Sequence, residues 1–399
     1  MLLCARVTLD FLVMPSFDFD DVTVEGQLRR GTLKWSLYGP DVLALWVAEM
    51  DFHTAPAVLE ALRSAVEREE VGYPFEGSDS GLPEAVAYWQ RRRYSWEIDP
   101  AGVRTLPDVL KGVELALDAF TPSASPVVVP TPAYMPFFDV LAALRRPVVE
   151  VPNLDDGEQR RLDLDGIAAA FEAGAGSIIL CNPHNPLGRS YSAEELAGLC
   201  DVVDRYAARV VSDEIHGPLT YPGERHVPYA SISPVAAGNS VTLVSASKGW
   251  NLPGLKCAQM ILTNEADVRR WKSVPPIRSH GASTFGIRAS LAAYRDGQEW
   301  LDQLVVYLDS NRRLLGDLLA EVLPDVGYTV PQATYLAWLD FSAMNLEGEA
   351  ADVIRREARV ATNPGSPFRG DGPGHVRLNF ATSKSILTSA VNAIADALR

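Results

Sequence analysis

The sequence predicts an α/β fold: a large domain built on a mainly parallel sheet, with a second, smaller α/β domain. Three observations carry that expectation. Short apolar runs alternate with helical patterns through the middle of the chain, as in strands linked by crossover helices. Several of those runs end in polar turns, where open α/β sheets bind their ligands. At 399 residues the chain is long enough for two cores.

The elements follow in order. Met1 to Met14 is mildly apolar but broken by Arg6 and Asp10, with no small-residue cleavage site after it. It reads as an extension, with Met14 as a second candidate start, rather than as a signal peptide. A helix is expected over about 109–119, then strands at Pro126–Pro130, Ser177–Cys181, Arg209–Ser212 and Val241–Ser245. Between the middle two strands lies an amphipathic helix over 192–208, where Ser192 followed by Glu195 forms a capping-box pattern. After about Phe285 the pattern changes. One long helix is expected through Leu319, then a strand at Tyr335–Asp340, a helix near 348–358, a strand at Val376–Phe380 and a last helix near 385–398. The resulting division is 46–285 for the large domain, with 1–45 and 286–399 forming the small one.

Composition narrows the function. A formal net charge of −15 argues against nucleic acid or an anionic membrane surface as partner. No apolar run reaches the ~20 residues of a membrane span. Cys4, Cys181, Cys200 and Cys257 are far apart and lack metal-ligand spacing. They fit reduced thiols in a cytoplasmic protein.

Only six of the 36 basic residues are lysines. One, Lys248, follows the run Val241-Thr242-Leu243-Val244 within Ser245-Ala246-Ser247-Lys248-Gly249-Trp250-Asn251. A strand ending there delivers an amine to the mouth of a sheet. A desolvated lysine can act as a nucleophile and form a Schiff base, which arginine cannot. Three further strand ends or turns offer polar groups: Thr131-Pro132-Ala133-Tyr134, Asn182-Pro183-His184-Asn185-Pro186-Leu187-Gly188-Arg189, and Ser212-Asp213-Glu214-Ile215-His216. The dense Pro, Gly and Asn of the second force a tight turn. No second histidine lies at ligand spacing from His216, so no metal site is expected.

Asp213 follows Asn185 by 28 residues, and Lys248 follows Asp213 by 35. That ordered set resembles the pyridoxal-phosphate enzymes of fold type I. More narrowly, Trp46 to Phe52, Gly72-Tyr73-Pro74, Cys181 to Arg189, Ser212 to His216, Ala333 to Trp338 and Arg377 to Thr382 resemble the cystathionine β-lyase-like C–S lyases of the aminotransferase class I/II superfamily. The resemblance implies roles. Lys248 would hold the cofactor covalently and then shuttle the Cα proton. Asp213 would pair with the pyridine nitrogen, where a carboxylate favours the protonated ring and so the electron sink. Asn185 and His216 would bond the cofactor's 3′-oxygen, and Tyr134 would stack on its ring. Ser245, Lys256 and the backbone amides of Val109 and Leu110 would hold the phosphate at a helix N-terminus. Asp108 stands beside them where relatives often carry glycine, and is expected to turn away. Tyr73 would reach the phosphate of a neighbouring subunit, making the site a property of a homodimer. Arg377 would clamp the substrate carboxylate as a bidentate pair, with Ala48 and Asn185 beside it.

The implied reaction is β-elimination from an S-substituted cysteine, giving thiol, pyruvate and ammonia. Three departures bear on the substrate: Gly249 after the lysine, expected to leave open space near the cofactor, Glu49 in place of aspartate, and Trp250 in place of phenylalanine. They admit a second outcome, an aminotransferase or a natural-product enzyme acting on an S-conjugated cysteine. Such an enzyme would cleave C–S or couple decarboxylation to oxidative deamination, as in lincosamide-type pathways. A cofactor-bearing regulatory binding module is the third reading, disfavoured by the acidic charge and the absence of a DNA-binding appendage.

Overall fold

The computed structural model describes residues 17–74, 80–157 and 159–399. The expectations for residues 1–13, Met14 and Cys4 lie outside the described residues.

Seven strands form the large sheet: β1 (Val103–Leu106), β2 (Val127–Thr131), β3 (Val148–Pro152), β4 (Ser177–Cys181), β5 (Arg209–Asp213), β6 (Ser240–Val244) and β7 (Ala258–Ile261). Their order is β1-β7-β6-β5-β4-β2-β3. Every pairing from β6 to β3 is parallel, while β7 runs antiparallel to both its neighbours. All residues of β2, β4 and β6 are buried, as expected where helices cover both faces. Parallel pairing puts the C-terminal ends of β2, β4, β5 and β6 on one edge. The register aligns Cys181 with Asp213 and Asp213 with Leu243, so the segments that follow these strands emerge side by side.

The four strands and two helices expected in the large domain fall within a residue or two of their expected ends at most positions. The helix after β4, Ala193–Arg205, stops three residues short of Ala208 and carries the full capping box between Ser192 and Glu195. Val109–Phe120 forms the helix after β1. The expected single helix from 285 is instead two, Thr284–Asp296 and Gln298–Val322. The break has a physical cause. A Cβ on Gly297 would lie 2.5 Å from Trp250 Nε1, and that indole donates to the Gly297 carbonyl at 2.9 Å. Trp250 thereby docks where the helices part and takes part in a cluster with Trp89 and Tyr294.

A four-stranded sheet follows: β8 (Gly327–Tyr328), β9 (Leu336–Asp340), β10 (Asn363–Pro364) and β11 (His375–Asn379), ordered β8-β9-β11-β10. Helices Ala350–Ala358 and Lys384–Leu398 accompany it. Leu43–Ala44 pairs in parallel with Val360–Ala361, joining the early part of the chain to the late part. Trp338 lies opposite Arg377 in the β9–β11 ladder, which places the arginine mid-strand on a fixed backbone.

Candidate active site

The segments after β2, β4, β5 and β6 converge with the start of the Val109–Phe120 helix on one cavity, lined by Tyr134, Asn185, Asp213, His216, Lys248 and Lys256 among others. Ala48, Val109, Leu110 and Ser245 line it too. The fold thus brings together ten of the residues singled out from sequence.

Lys248 sits in a short helix capped by Ser245. Its Nζ donates to the Ala48 carbonyl at 2.8 Å. Enclosure pushes the amine from its ordinary 10.5 to about 8, helped by the Arg377 guanidinium and opposed by Asp213 and Glu49. Asp213 is buried, and burial raises its carboxyl to about 7, against a hydrogen bond from the Ile215 amide. An acid with that shift is poised to accept a cationic partner in the cavity. His216 is buried, its Nδ1 has no hydrogen-bond partner, and burial holds the ring well below its usual value, hence neutral. Tyr134 packs edge-on against Phe137, and burial raises its phenol.

Arg377 is buried and reaches the site through Asn185, whose Oδ1 it approaches at 3.1 Å. Its other terminal nitrogen donates to Asn363 Oδ1 at 2.6 Å, while Nε is unpartnered. Burial lowers the guanidinium to about 10, still cationic at neutral pH. A buried cation with an unsatisfied donor and, among the described residues, no carboxylate partner is a receptor for an anion.

Asp108 does not turn away. It caps the helix, accepting from the Lys111 amide at 2.8 Å, and its second oxygen meets Lys256 Nζ at 3.0 Å. Ser245 lines the cavity with its hydroxyl committed, donating to the Cys257 carbonyl at 2.7 Å and accepting from the Ser247 amide. Gly249 opens no space toward the cavity: a Cβ there would meet Pro218 at 3.0 Å and Leu301 at 3.7 Å. Its substitution is a packing change, because Gly249 turns toward the core. Tyr73 stands away from this cavity, 92% exposed.

Sequence reasoning passed over several residues. Ser247 and Cys181 line the cavity. Glu214, beside Asp213, is fully enclosed and meets His226 Nε2 at 3.1 Å, Ser212 Oγ at 2.8 Å and the Tyr229 amide at 3.0 Å. Its place next to Asp213 in Ser-Asp-Glu-Ile-His was the available signal. Tyr335 donates to the same Ala48 carbonyl that receives Lys248, at 2.9 Å. Nothing in the local sequence could have paired residues 287 positions apart.

A lysine and a carboxylate facing one cavity from adjacent parallel strands, with a helix N-terminus at its rim, define a fold type I cofactor site. The family model for aminotransferase class I and II matches residues 40–394, and the chain belongs to that family. The cystathionine β-lyase of Corynebacterium glutamicum is 41% identical over 372 residues, covering 93% of this chain and 97% of the relative. A crystal structure of the PLP-bound C–S lyase from Staphylococcus hominis superposes with a TM-score of 0.89 at 27% identity, covering 96% of this chain and 99% of that one. Cystalysin from Treponema denticola, which contains pyridoxal 5′-phosphate, gives 0.90 at the same identity, again covering 96% and 99%. The residues present fit that cofactor: a lowered amine for its aldehyde, a raised carboxylate for its ring nitrogen, an unpartnered imidazole nitrogen, and Lys256 at the helix N-terminus for its phosphate.

Proposed function

We propose that the protein is a pyridoxal-phosphate-dependent C–S β-lyase that converts an S-substituted L-cysteine, cystathionine-like, and water into a thiol, pyruvate and ammonia. One observation carries this reading: the Lys248–Asp213 cavity occurs in a chain 41% identical to a cystathionine β-lyase along nearly its whole length. Bound there, the cofactor supplies an aldehyde for the substrate amine and a protonated ring that draws electrons from Cα.

The chain's own residues do the rest. Lys248 would hold the cofactor, and its amine, lowered to about 8, would take the Cα proton. Asp213 keeps the ring nitrogen protonated. Asn185 and His216 would hold the cofactor's 3′-oxygen, and Tyr134 would pack against its ring. Lys256, Ser245 and the amides of Val109 and Leu110 hold the phosphate, Ser245 on condition that its hydroxyl leaves the Cys257 carbonyl. Arg377, with Asn185 and Ala48, orients the substrate carboxylate. That orientation sets the Cα–H bond for the proton transfer and leaves Cβ to expel the thiolate.

The unit that works is a homodimer in the cytoplasm. In this reading Tyr73, 92% exposed beside Thr284 and Arg288, serves a second subunit. Cys181, Cys200 and Cys257 are free thiols. Among the described residues no helix is long and apolar enough to cross a membrane. Open space at Gly249 is one of three supports for the natural-product alternative, and that one falls because Gly249 faces Pro218.

Turnover of S-substituted cysteines with no 2-oxo acid added tests the reading. Thiol, pyruvate and ammonia in equal amounts are expected. A requirement for a 2-oxo acid, or release of an aldehyde with carbon dioxide, would replace it with the alternative.

A further inference from the structure

The segment Trp46–Asp51 has almost no regular structure, yet each of its six carbonyls is caught by side-chain donors. Arg377 reaches the Trp46 carbonyl at 3.4 Å. Asn379 Nδ2 donates to both Val47 and Glu49 at 2.7 Å, and Lys34 Nζ also reaches Glu49, at 3.0 Å. Asn251 takes the Met50 carbonyl at 2.8 Å and returns an acceptor to the Met50 amide at 2.9 Å. Gln27 and Arg30 hold the Asp51 carbonyl. Buried carbonyls outside helices and strands need partners, but one donor per carbonyl would suffice. Ala48, like Glu49 and Asp51, is doubly engaged, in its case by Lys248 Nζ and by the Tyr335 hydroxyl.

We propose that Tyr335 is a positioning residue for the Lys248 amine, acting through the Ala48 carbonyl that both donate to. The clamp fixes that carbonyl in space. Tyr335 takes up part of its accepting capacity, so the freed amine shares a carbonyl that is already held in place. Sharing the acceptor also weakens its hold on the ammonium form. A carbonyl with a single donor attracts a cation more strongly than one already polarised by a phenol. Tyr335 thereby keeps Lys248 easier to deprotonate. The groups facing Lys248 are Arg377, Asp213, Glu49 and His216. His216 also meets the Tyr335 ring edge-on, 6.3 Å between centroids, a contact that Tyr335→Phe keeps, and loss of the hydroxyl leaves the hydrogen bonds of the others in place.

This inference rests on the reading of Lys248 as cofactor lysine and proton carrier. The test uses the cofactor-loaded dimer with Tyr335→Phe. Removing the hydroxyl should lower kcat about tenfold with KM held within about twofold, and should move the basic-form limb of the kcat–pH profile to higher pH. Cofactor content and the pH midpoint of the bound cofactor's visible absorbance should match wild type, because the amine is not at its station while it holds the cofactor. Asn251→Gly, which keeps the left-handed backbone at φ 57° while releasing Met50, should reproduce the kcat effect more weakly. It serves if the phenylalanine variant does not fold. An unchanged kcat and pH profile overturns the proposal. So does an altered cofactor midpoint or content, which would mean that Tyr335 acts on the cofactor pocket at large. A Lys248→Ala variant that keeps the wild-type cofactor spectrum overturns the underlying reading instead.

Discussion

Asp108 and Lys256 form an ion pair of 3.0 Å at the rim of the cofactor cavity, across the N-terminus of the Val109–Phe120 helix. The carboxylate serves two structures at once. It caps the helix through the Lys111 amide, and it occupies the ammonium that a phosphate would use. Any phosphate bound here must share Lys256 with a like-charged competitor.

Asp108→Asn keeps the capping oxygen and removes the charge. Asparagine caps about as well as aspartate, so stability should change little. Affinity for pyridoxal phosphate should rise about three- to tenfold, as expected when a like charge is taken from an anion site. Equilibrium dialysis at low ionic strength reads the effect, which salt should shrink.

Asp213 gives the cofactor-free protein an inverted pH response. Its carboxyl is raised from 3.8 to about 7 by burial, with Glu214 adding to the rise and the Ile215 amide and Lys248 opposing it. The folded state therefore binds a proton that the unfolded state releases. That contribution is full below 3.8 and is lost as pH rises through 7. Without cofactor, Asp213→Asn should be more stable than wild type above pH 7, by on the order of a few kcal/mol, with the difference fading below pH 4. Saturating cofactor should reverse the order, since a ring cation then pairs with the carboxylate. Thermal unfolding at several pH values, with and without cofactor, measures both.

Arg377→Ala should weaken kcat/KM for amino acid substrates by about 30-fold or more, from the loss of a charged hydrogen-bond partner in a buried site. The variant also leaves Asn185 and Asn363 without their shared donor. Far-UV circular dichroism and cofactor content establish that the fold survives. Unchanged kinetics in a folded variant would remove Arg377 from the site.

Tyr73→Phe and Lys248→Ala, each inactive alone, should regain activity when mixed. Hybrid dimers then contain one site with both residues intact. A fully active monomer, by ultracentrifugation and assay at the same concentration, would contradict the shared site.

His226→Ala should destabilise the protein by about 3–5 kcal/mol, because it strands the Glu214 carboxylate in the core with only Ser212 and the Tyr229 amide as partners. Denaturant unfolding of cofactor-free protein reads this apart from any effect on catalysis.

The cofactor end of the site was legible because its residues sit at strand ends, where local sequence announces both the strand and the turn. Asp213 closes a β-branched run, and Lys248 follows one. Antiparallel β7 escaped notice because Ala258-Gln259-Met260-Ile261 carries little β-branching. The Gly297 break was invisible because its cause, Trp250, lies far away in sequence. Direction was the other blind spot. Sequence placed Gly249 next to Lys248, but only the backbone shows its missing side chain turned toward Pro218. Likewise the sequence sets Asp108 beside the expected phosphate site, while its commitment to Lys256 depends on a partner 148 residues away.

The carbonyls of Trp46–Asp51 take their donors from residues 27 to 34, 251, 335, 377 and 379. A chain still emerging from the ribosome therefore leaves the Trp46 and Val47 carbonyls without their side-chain donors until residues 377 and 379 are made. The station for Lys248 can be finished only after Tyr335 has emerged. Truncated chains should hold the large sheet long before they can hold a correctly seated lysine, so abortive products would be folded in part and catalytically silent.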